Sequence, residues 1–369
     1  MTGPALRPFR VAVDQRELDD LADRLDRARF APDLPGRDVG VTVGRVRQLA
    51  ERWRCRYDWR RWEAALNHYP QYVTMIAGVD LHHLHVRSPR SGARPLLLIH
   101  GWPMSVVEWL DLIAPLTEQD PAFDLVIPSI PGFGFSGVPR QSGWDRSRIA
   151  SAFADLMHVH GYDRYGVHGN DVGASIALEL GRIDPEHVTG VHVTQVFAMP
   201  SGDPAEVAAL DDEDRGRLDR SLQFVRERGS YLGLQATQPQ TLAHALVDSP
   251  LGQLAWSLQL LDGVSDDYLL TNVAITWLTR TAGSSALTGY LEPARATTPA
   301  GPTTVPVGVT TFDGDVFSSV RALAERDHAN IVSWNHRPGG SHHPAHHAPM
   351  VLADELALFF GLLEPPRRL

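Results

Sequence analysis

Asp171 lies at the point of this sequence that is best suited to an exposed nucleophile. The stretch YGVHGNDVGASIALELG (165–181) has the pattern of a hydrophobic strand, a turn of small residues and an apolar helix. Small flanking residues allow a strained strand-to-helix turn that exposes one side chain, and in most such turns that residue is serine. Here it is an aspartate, so the chemistry must be one in which a carboxylate attacks.

An acid and a histidine follow Asp171 in the chain order that this kind of turn requires. The apolar run VPVGVTTF continues into DGDVF, which offers Asp313 and Asp315 as the acid, and the segment GGSHHPAHHAP offers several histidines. The residues HGWP after the run LLLI can aim a backbone N–H group toward the nucleophile. We therefore expect the N–H groups of Trp102 and Val172 to form an oxyanion hole.

Together these groups predict a two-step reaction on a substrate without a carbonyl group, such as an epoxide or an alkyl halide. The carboxylate attacks an sp³ carbon and becomes an alkyl ester, and water activated by the histidine then attacks the carbonyl of that ester. The oxyanion hole stabilises the charge that forms in the second step. The acid orients the histidine and supports its protonated form.

The elements that must position these residues have the pattern of an α/β protein. Apolar runs that predict buried strands alternate with helical segments, and the runs are PLLLIH, FDLVIPSI, GVHVTQVF and VPVGVTTF. This alternation is typical of a mostly parallel, doubly wound sheet with helices on both faces. We assign residues 91–196 and 300–369 to this core. Residues 197–299 have helical patterning without a comparable strand and predict an inserted helical lid.

Residues 1–90 predict a helical N-terminal extension. They are rich in Arg, Asp and Glu, and the stretch DQRELDDLADRLDRARF places Leu18, Leu21 and Leu25 on one helical face. No strand-rich core is evident here, so we expect an accessory layer.

Composition excludes several classes of protein. A net charge of −10 over 369 residues argues against nucleic acid or an anionic membrane as the main partner. The single cysteine, Cys55, excludes an intramolecular disulfide and suits a reducing compartment. The first twenty residues have no apolar run of the kind found in signal peptides or membrane anchors. We expect a cytoplasmic protein.

Two motifs that could indicate a cofactor have simpler explanations. PGFGFSG (131–137) has the glycine spacing of a dinucleotide site, but VPRQSGW follows it and predicts a loop instead of a helix. The second motif is a cluster of histidines: His342, His343, His346 and His347. Pro344 and Pro349 interrupt this segment, and no nearby Cys or Glu completes a set of metal ligands. We expect neither a cofactor nor a metal.

The longest motifs resemble those of one known family, the epoxide hydrolases of the microsomal type. PFRVAVDQRELDDLADRL and YDWRRWEAALNHYPQYVTMIAGVDLHHLHVRS resemble its N-terminal domain, and LLLIHGWPMSVVEWLDLI and PSIPGFGFSG resemble its core motifs. YLGLQATQPQTLAHALVDSPLGQLAW and DDYLLTNVAITWLTRTAGSSA resemble its lid. The resemblance covers nearly the whole chain. It implies an α/β-hydrolase fold and hydrolysis of an epoxide to a vicinal diol.

The resemblance also implies which acid and which histidine act. The family's acid lies three residues past the phenylalanine of TTF, which identifies Asp315, with Asp313 as the alternative. The family's histidine follows a Gly-Gly pair and precedes a proline by seven residues. Counting back from Pro349 identifies His342, and His343 remains the runner-up because a serine is interposed after the glycines.

The family uses two lid tyrosines to protonate the leaving oxygen of the opened ring. The motifs GSYLGLQ and SSALTGYLE identify them as Tyr231 and Tyr290, with Tyr268 in reserve. A phenol of pKa about 10 can donate a hydrogen bond and then a proton to an alkoxide. Without the resemblance, both tyrosines would be explained as half-buried lid residues with satisfied hydroxyl groups.

Two other functions remain open. A haloalkane dehalogenase would use the same nucleophile, but it usually needs a tryptophan directly after that residue to hold the departing halide. This chain has Val172 there, which also makes the wall of the substrate pocket smaller. A non-catalytic ligand-binding homologue is the alternative of another class. The expected partners are an epoxide and water, with a homodimer left open. The epoxide would be either a small compound to be detoxified or an intermediate of secondary metabolism.

Overall fold

The computed structural model of the chain describes residues 5–36, 40–261, 263–296 and 301–363. Nine strands form one sheet in the order β1-β2-β3-β5-β4-β6-β7-β8-β9. Their bounds are β1 Arg7–Phe9, β2 Gln71–Ile76, β3 Val79–Val86, β4 Arg94–Ile99, β5 Phe123–Pro128, β6 Tyr165–Gly169, β7 Val188–Val193, β8 Val307–Phe312 and β9 Ile331–Arg337. Strands β4 to β9 pair in parallel, whereas β1, β2 and β3 add to the β5 edge in antiparallel order. The predicted α/β class with a mostly parallel sheet is confirmed.

Helices surround this sheet. In the described residues the α-helices are α1 Gln15–Asp26, α2 Val43–Cys55, α3 Trp59–Leu66, α4 Leu110–Glu118, α5 Arg146–Val159, α6 Val172–Ile183, α7 Pro204–Ala208, α8 Asp212–Arg228, α9 Ser230–Thr237, α10 Pro239–Asp248, α11 Pro250–Leu261, α12 Asp266–Thr279, α13 Ala282–Ala286, α14 Glu292–Arg295, α15 Arg321–Asp327, α16 Pro344–His347 and α17 Pro349–Leu362. A 3₁₀-helix spans Val106–Trp109 and a π-helix spans Leu287–Leu291. None of the described helices is long and apolar enough to cross a lipid bilayer.

The apolar run in β4 shows why the central strands could be predicted. Leu96 and Leu98 belong to one hydrophobic cluster, together with residues of α4 and α17. Leu97 and Ile99 point to the opposite face and join a second cluster with residues of α5 and α6. Successive side chains of a strand alternate between the two faces, so a strand that is covered on both sides must be apolar throughout.

The N-terminal extension contains strands that the sequence analysis missed. Leu21 and Leu25 of α1 are buried as predicted, but β1, β2 and β3 also come from residues 1–90. Ala77 and Gly78 connect β2 to β3 as a two-residue hairpin turn, with φ values of 49° and 84°. The extension is therefore helical only in part, and its strands lengthen the sheet.

Histidines in β3 concealed this hairpin. His82, His83 and His85 interrupt the apolar pattern, yet all three side chains are buried. His82 hydrogen-bonds Ser129 and Gln71 at 2.9 Å through its two ring nitrogens. A histidine ring can be buried when both its nitrogens have hydrogen-bond partners. It then occupies a position where an aliphatic residue would have revealed the strand in the sequence pattern.

The described residues between β7 and β8 contain the helices α7 to α14, joined by loops, as predicted for the lid. The predicted end of the lid at 299/300 lies outside the described residues, and the domain ranges stay a prediction. The glycines of PGFGFSG form a loop: Gly132 and Gly134 have φ values of 82° and 49°, and the next helix begins only at Arg146. The loop expected for this motif is confirmed.

Candidate active site

Asp171 lies at the turn between β6 and α6, at the carboxyl edge of the parallel strands. Its φ of 53° and ψ of −124° are strained for a residue with a side chain, at a cost of about 1–3 kcal/mol. The turn closes only with glycines beside it. A Cβ on Gly173 would lie 2.1 Å from the carbonyl oxygen of Ile99, and one on Gly169 would lie 2.2 Å from that of Gly173. The strand and helix thus hold the carboxylate at the carboxyl edge of the sheet.

The residues after β4 bring a backbone N–H group to this carboxylate. The Trp102 N–H donates to Asp171 Oδ1 at 2.8 Å, and a Cβ on Gly101 would lie only 2.4 Å from the Asp171 Cβ. Burial raises the pKa of Asp171, but the hydrogen bond and charge of His342, with the N–H groups of Trp102 and Val172, outweigh it and lower the pKa below its ordinary value. Asp171 is therefore ionised at neutral pH.

His342 lies between two carboxylates. Its Nδ1–H donates to Asp315 Oδ1 at 2.9 Å, and its Nε2 lies 3.5 Å from Asp171 Oδ2. The Phe317 N–H and the Gln195 side-chain amide both donate to Asp315, which fixes the orientation of the acid. Burial lowers the pKa of His342, but the nearby charges and hydrogen bonds of the two carboxylates outweigh it and raise the pKa well above 6.5.

The alternatives for acid and base lie elsewhere. Asp313 accepts a hydrogen bond from His336 at 2.6 Å, and both side chains are about half exposed. The Nε2–H of His343 donates to the carbonyl of Leu260 at 2.9 Å, and burial lowers its pKa to about 3. His346 stacks on the ring of Tyr268.

Tyr231 and Tyr290 face Asp171 across the pocket. Tyr231 belongs to α9 and Tyr290 to the π-helix. The ring of Trp102 stacks on Tyr231 at 5.3 Å and meets Tyr290 edge-on at 5.8 Å. Burial, followed by the charge of Asp171, raises the pKa of both phenols above 10. Both are therefore protonated at neutral pH and can act as donors.

A cavity of about 300 Å³ separates these groups. Asp171 and His342 contribute to its lining from one side, with Asp315 and the Trp102 N–H behind them; we call this the sheet side. Tyr231 and Tyr290 contribute from the opposite side, which we call the lid side. Most of the remaining lining is apolar and includes Phe197, Phe224, Leu232, Leu260 and Phe317. The arrangement could hold a small apolar electrophile between a carboxylate and two phenols.

Sequence reasoning missed one buried acid that connects three parts of the site. Glu108 accepts hydrogen bonds from the Gly101 N–H at 3.2 Å and from the Asn170 side chain at 2.6 Å. Asn170 also donates to the carbonyl of His342 at 3.0 Å. Burial raises the pKa of Glu108 to about 7, although these hydrogen bonds lower it. The signal was available, because Glu108 is the one charged residue in the apolar run MSVVEWL (104–110).

Comparisons with known proteins agree with this geometry. Residues 6–109 match the family model described as "Epoxide hydrolase N terminus", and residues 94–263 match the model described as "alpha/beta hydrolase fold". A protein of Stigmatella aurantiaca (strain DW4/3-1), provisionally named an epoxide hydrolase, is 38% identical over 97% of this chain and 85% of its own length. Epoxide hydrolase 1 of Sus scrofa is 30% identical over 98% of this chain and 89% of its own.

Solved structures show the same relationship. The epoxide hydrolase of Aspergillus niger has a TM-score of 0.85 and 27% identity, and the match covers 98% of this chain and 97% of that one. The juvenile hormone epoxide hydrolase of Bombyx mori has a TM-score of 0.88 at 24% identity, covering 98% and 95%, which supports the fold. Because its N-terminal residues match the epoxide hydrolase model and a relative is 38% identical over 97% of its length, this chain belongs to the epoxide hydrolase family.

Proposed function

We propose that this protein hydrolyses an epoxide to a vicinal diol through an alkyl ester on Asp171. One observation carries the proposal: a carboxylate occupies the nucleophile position, 2.8 Å from the Trp102 N–H and 3.5 Å from His342 Nε2. A carboxylate there supplies the carbonyl group that an epoxide lacks.

In the first step, Asp171 Oδ2 attacks a ring carbon and the carbon–oxygen bond of the epoxide breaks. Oδ2 is the better candidate because Oδ1 accepts the Trp102 N–H hydrogen bond. The alkoxide that leaves takes a proton from Tyr231 or Tyr290, whose phenols line the cavity opposite Asp171. Oδ1 then becomes the carbonyl oxygen of the ester and remains at the oxyanion hole.

In the second step, His342 activates water. Ester formation removes the charge of Asp171, one of the two carboxylates that raise the pKa of His342. The proton that His342 then releases balances the one given to the alkoxide, and the neutral ring can accept a proton from water. Water attacks the ester carbonyl, and the Trp102 and Val172 N–H groups stabilise the charge on Oδ1. Collapse of this intermediate releases the diol and restores the carboxylate.

The lining of the cavity supports a substrate with apolar substituents of moderate size. Aromatic and aliphatic side chains dominate the walls of this cavity of about 300 Å³. We propose that such an epoxide is either detoxified or used in secondary metabolism. We also propose that the protein is cytoplasmic. Its chain would divide into an extension (1–90), a core (91–196 and 300–369) and a lid (197–299).

Single-turnover hydrolysis in oxygen-18 water tests the ester mechanism. The label should enter the Asp171 carboxylate, and the first diol formed should be largely unlabelled. A panel of epoxides, assayed for diol with the wild type and with Asp171→Asn, identifies the substrate class. Solvent oxygen in the first-turnover diol would contradict the covalent route, and release of halide from haloalkanes with no action on epoxides would favour a dehalogenase.

A further inference from the structure

A second cluster of polar side chains lies at the edge of the sheet opposite to Asp171. His158 is in the last turn of α5, Asp184 follows the end of α6, and His187 directly precedes β7. Strands β6 and β7 begin at this edge, whereas the reaction takes place where β6 ends. A five-residue strand spans roughly 17 Å, so nothing in the proposed reaction uses these three residues.

The three side chains are close enough to share one ion. Each offers a ligand atom, and these atoms all lie within 4.8 Å of one another. His187 Nδ1 hydrogen-bonds Asp184 Oδ1, and the rings of His158 and His187 meet edge-to-face with centroids 4.7 Å apart. It is the one such group of three that the described part of the chain contains.

The surroundings fix two of the three residues in place. The buried Tyr165 donates its O–H to Asp184 Oδ2 at 2.6 Å, which leaves Oδ1 directed at the imidazoles. The backbone N–H groups of His187 and Val188 both donate to the carbonyl of Asp184, at 3.3 and 3.0 Å, and so hold the turn. A hydrogen bond to the outer oxygen of a carboxylate is the support that metal-binding carboxylates commonly receive.

We propose that His158, Asp184 and His187 form a binding site for a divalent transition-metal ion of the zinc class. Two imidazoles and one carboxylate form a ligand set that zinc accepts, with water as the fourth ligand. Zinc–ligand distances of about 2.1 Å require the ligand atoms to lie within about 4.2 Å of one another. Binding therefore requires a small rotation of a ligand side chain, for which the exposed His158 has room. The bound ion would link the end of α5 to the turn between α6 and β7.

Titration of the full-length, untagged protein with Zn²⁺ and Co²⁺ tests this site. After treatment with EDTA and removal of the chelator, calorimetry should show one equivalent of tightly bound Zn²⁺. Co²⁺ should give a visible d–d absorption band that Zn²⁺ abolishes. Zn²⁺ should raise the melting temperature by several degrees, since only the folded chain holds the three ligands together. The rate of epoxide hydrolysis should not change.

Variants assign the ion to these residues. His158→Ala and His187→Ala should each lose the Co²⁺ band and the Zn²⁺-dependent rise in melting temperature. Tyr165→Phe, which keeps all three ligands, should weaken Zn²⁺ binding by about 10- to 100-fold. His336→Ala is the matched control, because it removes an exposed histidine from another His–Asp pair. Equal binding by the wild type, His158→Ala and His187→Ala would overturn the proposal, as would a wild type that binds no metal.

Discussion

The sheet side and the lid side of the pocket present different kinds of groups to a bound substrate. The sheet side carries two carboxylates and a charged imidazole, all buried and all held by hydrogen bonds from strands or from the residues that follow them. The lid side carries two neutral phenols on helices, packed against the ring of Trp102. The sheet side thus offers charged groups to the substrate, whereas the two tyrosines of the lid side offer neutral hydrogen-bond donors.

This difference implies a division of the reaction. In the proposed mechanism, ester formation needs both sides, because Asp171 and the two tyrosines act on the same bond of the epoxide. Ester hydrolysis takes place on the carbonyl of Asp171 and needs only the sheet side. Lid-side variants should therefore slow ester formation, whereas variants of His342 and Asp315 should mainly slow ester hydrolysis.

The largest separation of the two steps is expected from His342→Gln. The ring should still open, because Asp171 keeps the N–H groups of Trp102 and Val172 that favour its ionised form and both tyrosines remain, but the ester should persist without a base to activate water. Turnover should fall by about 10²- to 10⁴-fold, and intact mass should reveal the alkylated enzyme. His343→Gln is the matched control and should turn over nearly normally. The reverse result would show that the neighbouring histidine is the base.

Asp315→Asn tests the support of the imidazole. Without this acid, His342 loses the partner that fixes its Nδ1–H and helps to keep its pKa raised, so ester hydrolysis should slow by about 10²-fold or more. Asp313→Asn should have little effect, because that acid pairs with the exposed His336. Stopped-flow measurement of both steps would check this, and equal losses in the two variants would contradict the assignment.

Tyr231→Phe and Tyr290→Phe should act on the other step. Each should slow alkylation by about tenfold to a few hundredfold, where a factor of ten corresponds to about 1.4 kcal/mol. The double variant should nearly abolish alkylation, while hydrolysis of a preformed ester should change much less. Tyr268→Phe is the control, since its ring stacks on His346. A double variant that alkylates at the wild-type rate would remove the lid side from the mechanism.

The smallest effect is expected from Glu108→Gln and should be visible in the pH profile. The pKa of Glu108 is raised to about 7 by burial, so the side chain is protonated below that pH and ionised above it. The ionised form should hold the Gly101 N–H and Asn170 more firmly, and the wild-type rate should rise severalfold as pH increases through about 7. In Glu108→Gln this inflection should disappear. Its persistence in the variant would assign it to another group.

The sequence predicted the sheet side better than it predicted the rest. Buried parallel strands must be apolar on both faces, so β4 to β8 were evident, and the glycines beside Asp171 are required by the turn. Tyr231 and Tyr290 could be selected only through the family resemblance, because a helix pattern does not show which residues face a distant strand. Glu108 was missed because its role comes from hydrogen bonds that residue spacing does not show. Its partners are Gly101, in the segment after β4, and Asn170, in the turn after β6.

The buried histidines of β3 connect the folding of the N-terminal extension to proton uptake. Burial lowers the pKa of His82 to about 3 and that of His85 to about 4, whereas an unfolded chain binds these protons near pH 6.5. As pH falls from about 6.5 toward 4, the unfolded state therefore takes up protons that the folded state refuses. Each such histidine lowers the free energy of unfolding by up to about 1.4 kcal/mol per pH unit in that range. The hairpin at the antiparallel edge of the sheet thus contributes to the loss of stability at acid pH, together with histidines buried elsewhere in the fold, such as His192, whose pKa burial also lowers to about 3.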